Sequence, residues 1–319
     1  MNIVVLDGHA LNPGDLDWGP LEALGNLTVY ERSDARQVTA RARDADIVLT
    51  NKALLQKEQL SELPKLKFIS VMATGYNIVD VQAAKDREIQ VSNVVGYSTD
   101  SVAQHAMALL LELANNVGMH ASDVHKGGWS GSTDWSYWKS PLIELSGKKL
   151  GIIGYGSIGQ RTGQIARAFG MEILVYHPRL SESTEHYLLV YLDELFSQSD
   201  FISLHVPLNS DTLEIVNRDR LHQMKSGAYL INTSRGPLIN ELDLKLALET
   251  KVIAGAALDV LSSEPPVVNH PLIGVANCII TPHQAWASFE SRSRLMEETV
   301  KNVEAFFNGE QRNGVILRY

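Results

Sequence analysis

Three apolar stretches of this chain end in side chains that handle charge or protons. Ile231-Asn232-Thr233-Ser234 runs into Arg235, Ala257-Leu258 into Asp259 with Glu264 in the turn beyond, and Ile280-Thr281-Pro282 into His283. A guanidinium presents a fork that holds a carboxylate and polarises an adjacent carbonyl, a task for which lysine is geometrically poorer. An imidazole titrates near neutrality and so can give or take a proton, and the proline before His283 fixes its turn. Taken singly, each has a plainer explanation: a surface arginine at a junction, two loop acids, a structural histidine. What joins them is position, because ligands of open α/β sheets bind beyond the carboxyl ends of the strands.

A fourth segment supplies the context. Gly154-Tyr155-Gly156-Ser157-Ile158-Gly159 follows the apolar run Lys149 to Ile153 and leads into a helix-like stretch, the setting of a dinucleotide-binding turn. Gly154 permits the tight turn, Gly156 lets the backbone approach a pyrophosphate, and Gly159 allows close helix–strand packing, while unpaired N–H groups at the helix start hold the phosphates. Alone the motif is weak, since glycine-rich βα turns also occur without a ligand.

The elements that must position these residues form two βα series. The first has strand-like runs at Ile3 to Leu6, Leu27 to Tyr30, Ile47 to Leu49, Phe68 to Val71 and Ile89 to Ser92; alternation with helical stretches reads as a parallel, doubly wound sheet. A helix follows over Thr99 to Leu113, capped by Thr99 or Asp100 and expected to cross between domains. Lys126 to Trp138, rich in Gly, Ser and Trp, reads as a long loop or arm. The second series has strands near Lys149 to Ile153, Ile173 to Tyr176, Phe201 to Leu204, Tyr229 to Asn232, Ala254 to Leu258 and Cys278 to Ile280, enough for a complete dinucleotide-binding domain. A last amphipathic helix, with Leu295, Met296, Val300, Val303 and Phe307 and a stop at Asn308-Gly309, is expected to pack back on the first domain.

Composition bounds the partners. With 319 residues, two domains are the default expectation. A formal net charge of −9 with no Lys/Arg run argues against a nucleic-acid surface, so an anionic substrate needs local cationic groups. The one cysteine, Cys278, cannot form an internal disulfide and reads as a buried strand residue in a reducing compartment. The N-terminus opens directly on a strand, and no run reaches membrane-spanning length, so a cytoplasmic protein without a membrane partner is expected. The ten histidines are scattered without metal-ligand spacing, so no metal is expected.

Together the segments around Arg235, Glu264 and His283 resemble the D-2-hydroxyacid dehydrogenase family, along essentially the whole chain. Within it, Pro282-His283-Gln284-Ala285-Trp286 and Ser140 to Lys149 look most like the glycerate dehydrogenase, or hydroxypyruvate reductase, branch. The resemblance implies a Rossmann-type dinucleotide-binding domain (100–285) inserted into a flavodoxin-like substrate domain (1–99), with a C-terminal helix (286–319) returning to the latter. It implies NAD(P)H-dependent reduction of a small 2-keto acid, hydroxypyruvate or glyoxylate, to the D-2-hydroxy acid. His283 would be the proton donor, Glu264 would orient it, and Arg235 would bind carboxylate and carbonyl oxygens. Backbone N–H groups around Thr74-Gly75-Tyr76 match the place where the family binds the substrate carboxylate. Ser157 and Ile158 match backbone positions at the pyrophosphate, and Asp259 matches a residue near the nicotinamide amide; Val206 and Thr233 are lesser candidates.

One departure bears on the cofactor. The strand Ile173 to Tyr176 should end in an Asp that takes both ribose hydroxyls of NAD, yet His177 stands there, followed by Pro178-Arg179. Without that carboxylate a 2′-phosphate is not repelled, and Arg179 can pair with one, so the balance tips slightly to NADP over NAD. In the arm, Trp129, Trp135 and Trp138 either anchor a loop on the core or cross the interface of a homodimer. A dinucleotide-sensing corepressor of the same fold is the alternative of another class. A formate-dehydrogenase-like activity is disfavoured, because formate oxidation needs no proton relay and that subgroup carries Gln where Glu264 stands.

Overall fold

A computed structural model describes residues 1–315 of the chain. Two compact units emerge among these residues, one of Met1–Ser98 with residues 287–315, the other of Thr99–Trp286. The first contains β1 (Asn2–Val5), α1 (Gly19–Glu22), β2 (Asn26–Val29), α2 (Ala35–Ala42), β3 (Ile47–Thr50), α3 (Lys57–Ser61), β4 (Phe68–Val71), α4 (Val81–Asp86) and β5 (Gln90–Ser92). Its sheet has the order β2-β1-β3-β4-β5, parallel throughout, the flavodoxin-like arrangement. β3 and β4 are buried at every position, as a sheet covered on both faces requires.

The second unit begins with α5 (Thr99–Asn115) and α6 (Val117–His125), followed by β6 (Lys149–Ile153), α7 (Ser157–Ala168), β7 (Glu172–Tyr176) and β8 (Leu188–Leu189). It continues with α8 (Leu192–Gln198), β9 (Phe201–Leu204), α9 (Arg218–Gln223), β10 (Tyr229–Asn232), α10 (Glu241–Glu249), β11 (Gly255–Leu258) and β12 (Cys278–Ile280). All seven strands are parallel in the order β12-β11-β10-β9-β6-β7-β8, a Rossmann sheet with β12 added beyond the usual six. β8, absent from the sequence reading, is a two-residue edge strand.

α11 (Phe289–Phe307) belongs to the first unit and packs on β4, where the Phe306 ring stacks on Phe68 at 4.7 Å between centroids. Leu295 and Val303 are fully buried along its inner face, and Ser288 caps its start by accepting the Ser291 N–H. Arg292 donates through both terminal nitrogens to the Asp15 carboxylate (2.7 and 2.6 Å) and also to the Leu11 carbonyl (3.0 Å). That fork holds the Asp15 carboxyl below its ordinary range.

Several expectations need correction. The helix expected to cross between domains, α5, lies within the second unit, where it packs on α7, β10 and β11. Thr99 and Asp100 are the first two residues of that helix, and the Asp100 carboxylate accepts from Arg161 Nε at 2.8 Å. Cys278 is only half-buried, although burial pushes its thiol up to about 12. The tryptophans of the arm do not anchor it on the core: Trp129, Trp135 and Trp138 are 52%, 88% and 69% exposed. The arm is tied instead to α6, where the Asp123 carboxylate accepts from Tyr137 Oη (2.6 Å) and pairs with Lys139.

Candidate active site

Most of the candidate residues leave the carboxyl ends of neighbouring strands in one sheet. Gly154 follows β6, His177 follows β7, Val206 comes just after β9, Thr233 to Arg235 follow β10, Asp259 follows β11, and His283 comes shortly after β12. Chain order reverses between β6 and β9, and such a switch point is where an open α/β sheet forms a crevice for ligands.

The β6–α7 turn is shaped for a phosphate group. Gly154 has φ +92°, and a Cβ there would lie 2.5 Å from the His205 carbonyl oxygen and 2.7 Å from Val206 Cγ1. Gly156 precedes α7, and a Cβ on it would meet nothing within 4 Å, so this backbone faces open space. A Cβ on Gly159 would fall 2.2 Å from the Gly154 carbonyl, which is how closely helix and turn approach. The N–H groups of Ser157 and Ile158 have no partner among the described residues, since the first bond at this helix start runs from the Gln160 N–H to Gly156. Two polar atoms at adjoining strand ends, Thr233 Oγ1 and His205 Nδ1, are buried without a partner. Burial pushes the His205 pKa down to about 4, so the ring is neutral near pH 7. Open glycine backbone, unpaired N–H groups and orphaned polar atoms fit a dinucleotide. Beyond β7, His177 Nδ1 accepts the Arg179 N–H at 3.1 Å, while Arg179 is exposed and makes no ion pair among the described residues.

His283 and Glu264, nineteen residues apart, meet: His283 Nδ1 lies 2.5 Å from Glu264 Oε2. The second carboxylate oxygen, Oε1, accepts the Leu261 N–H at 3.0 Å. His283 has φ +51°, a left-handed backbone rarely adopted by a residue of its size. Asp259 holds it there. The Asp259 backbone carbonyl accepts the His283 N–H (2.8 Å), and its carboxylate accepts from the Thr281 hydroxyl (2.5 Å) and the Gln284 and Ala285 N–H groups (3.0 and 2.8 Å). Burial alone would raise this carboxyl's pKa, but bonds from His105, Thr281, Ala285 and Gln284 outweigh it and hold the group below 3.8.

Arg235 is bonded within its own loop after β10. Its Nη1 donates to the Ser234 carbonyl at 2.7 Å, and its backbone carbonyl accepts from Asn232 Nδ2 at 2.8 Å. Gly236 then passes so close to the loop after β11 that a Cβ would fall 1.9 Å from the Leu261 carbonyl carbon and 2.2 Å from the Ser262 nitrogen. The loop carrying Arg235 is thus stacked backbone-to-backbone on the loop carrying Glu264. Because both contacts are backbone, Gly236→Ala is expected to cost about 1–3 kcal/mol of stability and to lower kcat as well. A thermal melt and a rate indistinguishable from the parent would show that the contact relaxes freely.

Thr74, Gly75 and Tyr76 lie in the first unit, after β4, and their N–H groups have no partner among the described residues. Asn93 Nδ2 donates to the Thr74 carbonyl (2.7 Å), while the Thr74 hydroxyl donates to Val94 (3.0 Å). Sequence reasoning missed Gly236, Thr281 and His205. The Arg-Gly-Pro run was the one visible signal for the first; the others stand out only once strand ends are side by side. Among the described residues no group of His, Cys, Asp or Glu is placed to hold a metal ion, and no helix is long and apolar enough to cross a membrane.

Comparison with known proteins bears on this geometry. Residues 107–285 match the family described as D-isomer specific 2-hydroxyacid dehydrogenase, NAD binding domain. The chain is 52% identical over 322 residues to a hydroxypyruvate reductase of Blautia hydrogenotrophica, covering 99% of both proteins. It is 38% identical over 281 residues to a glycerate dehydrogenase of Methylorubrum extorquens, covering 88% of each. Among solved structures, an NADPH-dependent glyoxylate/hydroxypyruvate reductase from Sinorhizobium meliloti, in complex with citrate, aligns with a TM-score of 0.84 at 30% identity, over 98% of this chain and 97% of that one.

Proposed function

Because this chain belongs to the D-isomer specific 2-hydroxyacid dehydrogenase family, we propose that it reduces hydroxypyruvate or glyoxylate to the corresponding hydroxy acid (D-glycerate in the first case) with NAD(P)H. The observation that carries this reading is the 2.5 Å contact of His283 with Glu264, set on the same sheet edge as a turn that fits a dinucleotide. A reduced dinucleotide, when bound, supplies hydride to the second carbon of the acid. Arg235 grips carboxylate and carbonyl oxygens and stabilises the charge that grows on the latter. His283 gives that oxygen a proton from Nε2, since Nδ1 is committed to Glu264, which fixes tautomer and ring orientation. Asp259 keeps the histidine's loop in place through the bonds already described. Taken by itself, the first unit offers the unpaired N–H groups of Thr74, Gly75 and Tyr76 as donors suited to an anion.

The assay is oxidation of NADPH and, separately, NADH with hydroxypyruvate, glyoxylate and pyruvate. Turnover with none of these by folded, dinucleotide-binding protein would overturn the reading. NADPH is expected to be the better cofactor, because an imidazole stands at His177 and the exposed Arg179 can meet a 2′-phosphate. Arg179→Ala should then raise the KM for NADPH about tenfold and leave that for NADH within twofold. An equal change for both would reject the assignment.

The exposed arm and α6, which buries none of its residues, make a face for a second copy of the chain. Light scattering that returns the mass of one chain would remove this part of the reading. A single cysteine fits a reducing cytosol, to be checked by fractionation.

A further inference from the structure

Ser262 through Asn269, the stretch that carries Glu264, is exposed at every residue. Both of its ends meet one carboxylate. Glu241, the first residue of α10, accepts the Ser262 N–H at Oε1 (2.8 Å). Its Oε2 accepts the Ser262 hydroxyl (2.5 Å) and pairs with His270 Nε2 (3.1 Å). The side chains of His270 and Glu241 are 3% and 12% exposed. His270 Nδ1 accepts the Leu272 N–H at 3.3 Å, which places the ring proton on Nε2 and makes that nitrogen the donor to Glu241. Asn240 caps α10 by accepting the Asp243 N–H at 3.1 Å, so the helix start that bears Glu241 is itself fixed.

From this arrangement we propose that Glu241 and His270 are positioning residues for the reaction, a clasp that closes the loop and sets where Glu264 meets His283. The inference rests on the reading of Glu264 as the group that orients His283. Glu264 Oε1 is bonded to the N–H of Leu261, the residue next to the clasped Ser262, while Oε2 reaches His283. Movement of the Ser262 end therefore passes directly to the carboxylate. With the far end released, the exposed stretch has no buried side chain of its own to hold it, and a misplacement of about 1 Å in a catalytic array costs on the order of a hundredfold in rate.

The test is a double-mutant cycle with a spectroscopic readout. His270→Leu, which removes the donor to Glu241 and preserves an apolar bulk, is expected to lower kcat about thirtyfold. In a Glu264→Gln background it should lower kcat less than about twofold, because the clasp acts through the residue already removed. His270→Gln, whose amide can still donate to Glu241, should recover most of the rate. The proton on His283 Nδ1, shifted downfield by its short bond to Glu264, should move upfield in His270→Leu and be lost in Glu264→Gln. Ser262→Ala, at an exposed position, should move the same resonance and guards against a His270 variant that fails to fold. Equal losses of kcat in both backgrounds, or an unmoved resonance in Ser262→Ala and His270→Leu, would overturn the clasp. That resonance is read without substrate, so absence of turnover with every keto acid would count against the proposed function and leave the clasp decided by the spectrum.

Discussion

His283→Asn is expected to lower kcat by about 10²- to 10⁴-fold, the range usual for loss of a positioned general acid. Asparagine is the informative replacement because His283 sits at φ +51°, a conformation that Asn tolerates better than most residues. The bonds that fix this loop are made by backbone N–H groups of residues 283, 284 and 285 to Asp259, and they survive the substitution. Dinucleotide affinity, read by protein fluorescence, should therefore stay within about twofold of the parent, while the chemical step slows. KM for the keto acid should rise several-fold, since the imidazole also donates to its carbonyl oxygen in the ground state. Should kcat in single-turnover experiments fall by less than about tenfold, another group or a water supplies the proton and His283 is reduced to a structural role.

The contrast between what could and could not be read in advance has a physical pattern. β3, β4, β9 and β11 are buried at every residue, so each leaves a short run that is apolar except for a single Ser or Thr in β3, β4 and β9. α6 buries none of its residues and β8 is only two residues long, so neither presents the buried pattern by which the other elements are recognised. The glycines of the β6–α7 turn were legible because their requirement is local: a positive φ at Gly154 and a close approach at Gly159. The pairing of Glu264 with His283 was legible through family resemblance, since nothing in their spacing brings a turn after β11 to a turn after β12. Gly236 was hidden for a related reason. It must be glycine because of the Leu261–Ser262 backbone, twenty-five residues further along the chain, and no local conformational signal marks such a contact. Asp259 was singled out as a cofactor neighbour, yet its carboxylate is engaged by Thr281, Gln284 and Ala285, a scaffold role invisible until the strand ends are side by side.

Arg235→Lys is expected to lower kcat/KM for the keto acid by about 10²-fold and Arg235→Gln by about 10³-fold, the range seen when one donor to a developing oxyanion is lost. A chain of net charge −9 does not attract a small anion by its overall field, so recognition must come from local cations. The Arg235 guanidinium uses Nη1 to reach the Ser234 carbonyl at 2.7 Å, which orients the fork and leaves further donors to face a substrate. Lysine preserves the charge but offers a point rather than a fork; it can hold the carboxylate or polarise the carbonyl, and the geometry for both is lost. The loop itself does not depend on the side chain, because Asn232 bonds the Arg235 backbone and Ser234 bonds Leu204 at 2.7 Å. Both variants should consequently melt within a few degrees of the parent and bind dinucleotide normally. The loss should fall on kcat as well as KM, because the charge on the carbonyl oxygen grows only as hydride arrives. A Lys variant with parental kcat/KM would show that positive charge alone suffices and that the fork has no part in the transition state. Loss confined to KM would mean that Arg235 binds the acid without stabilising its reduction.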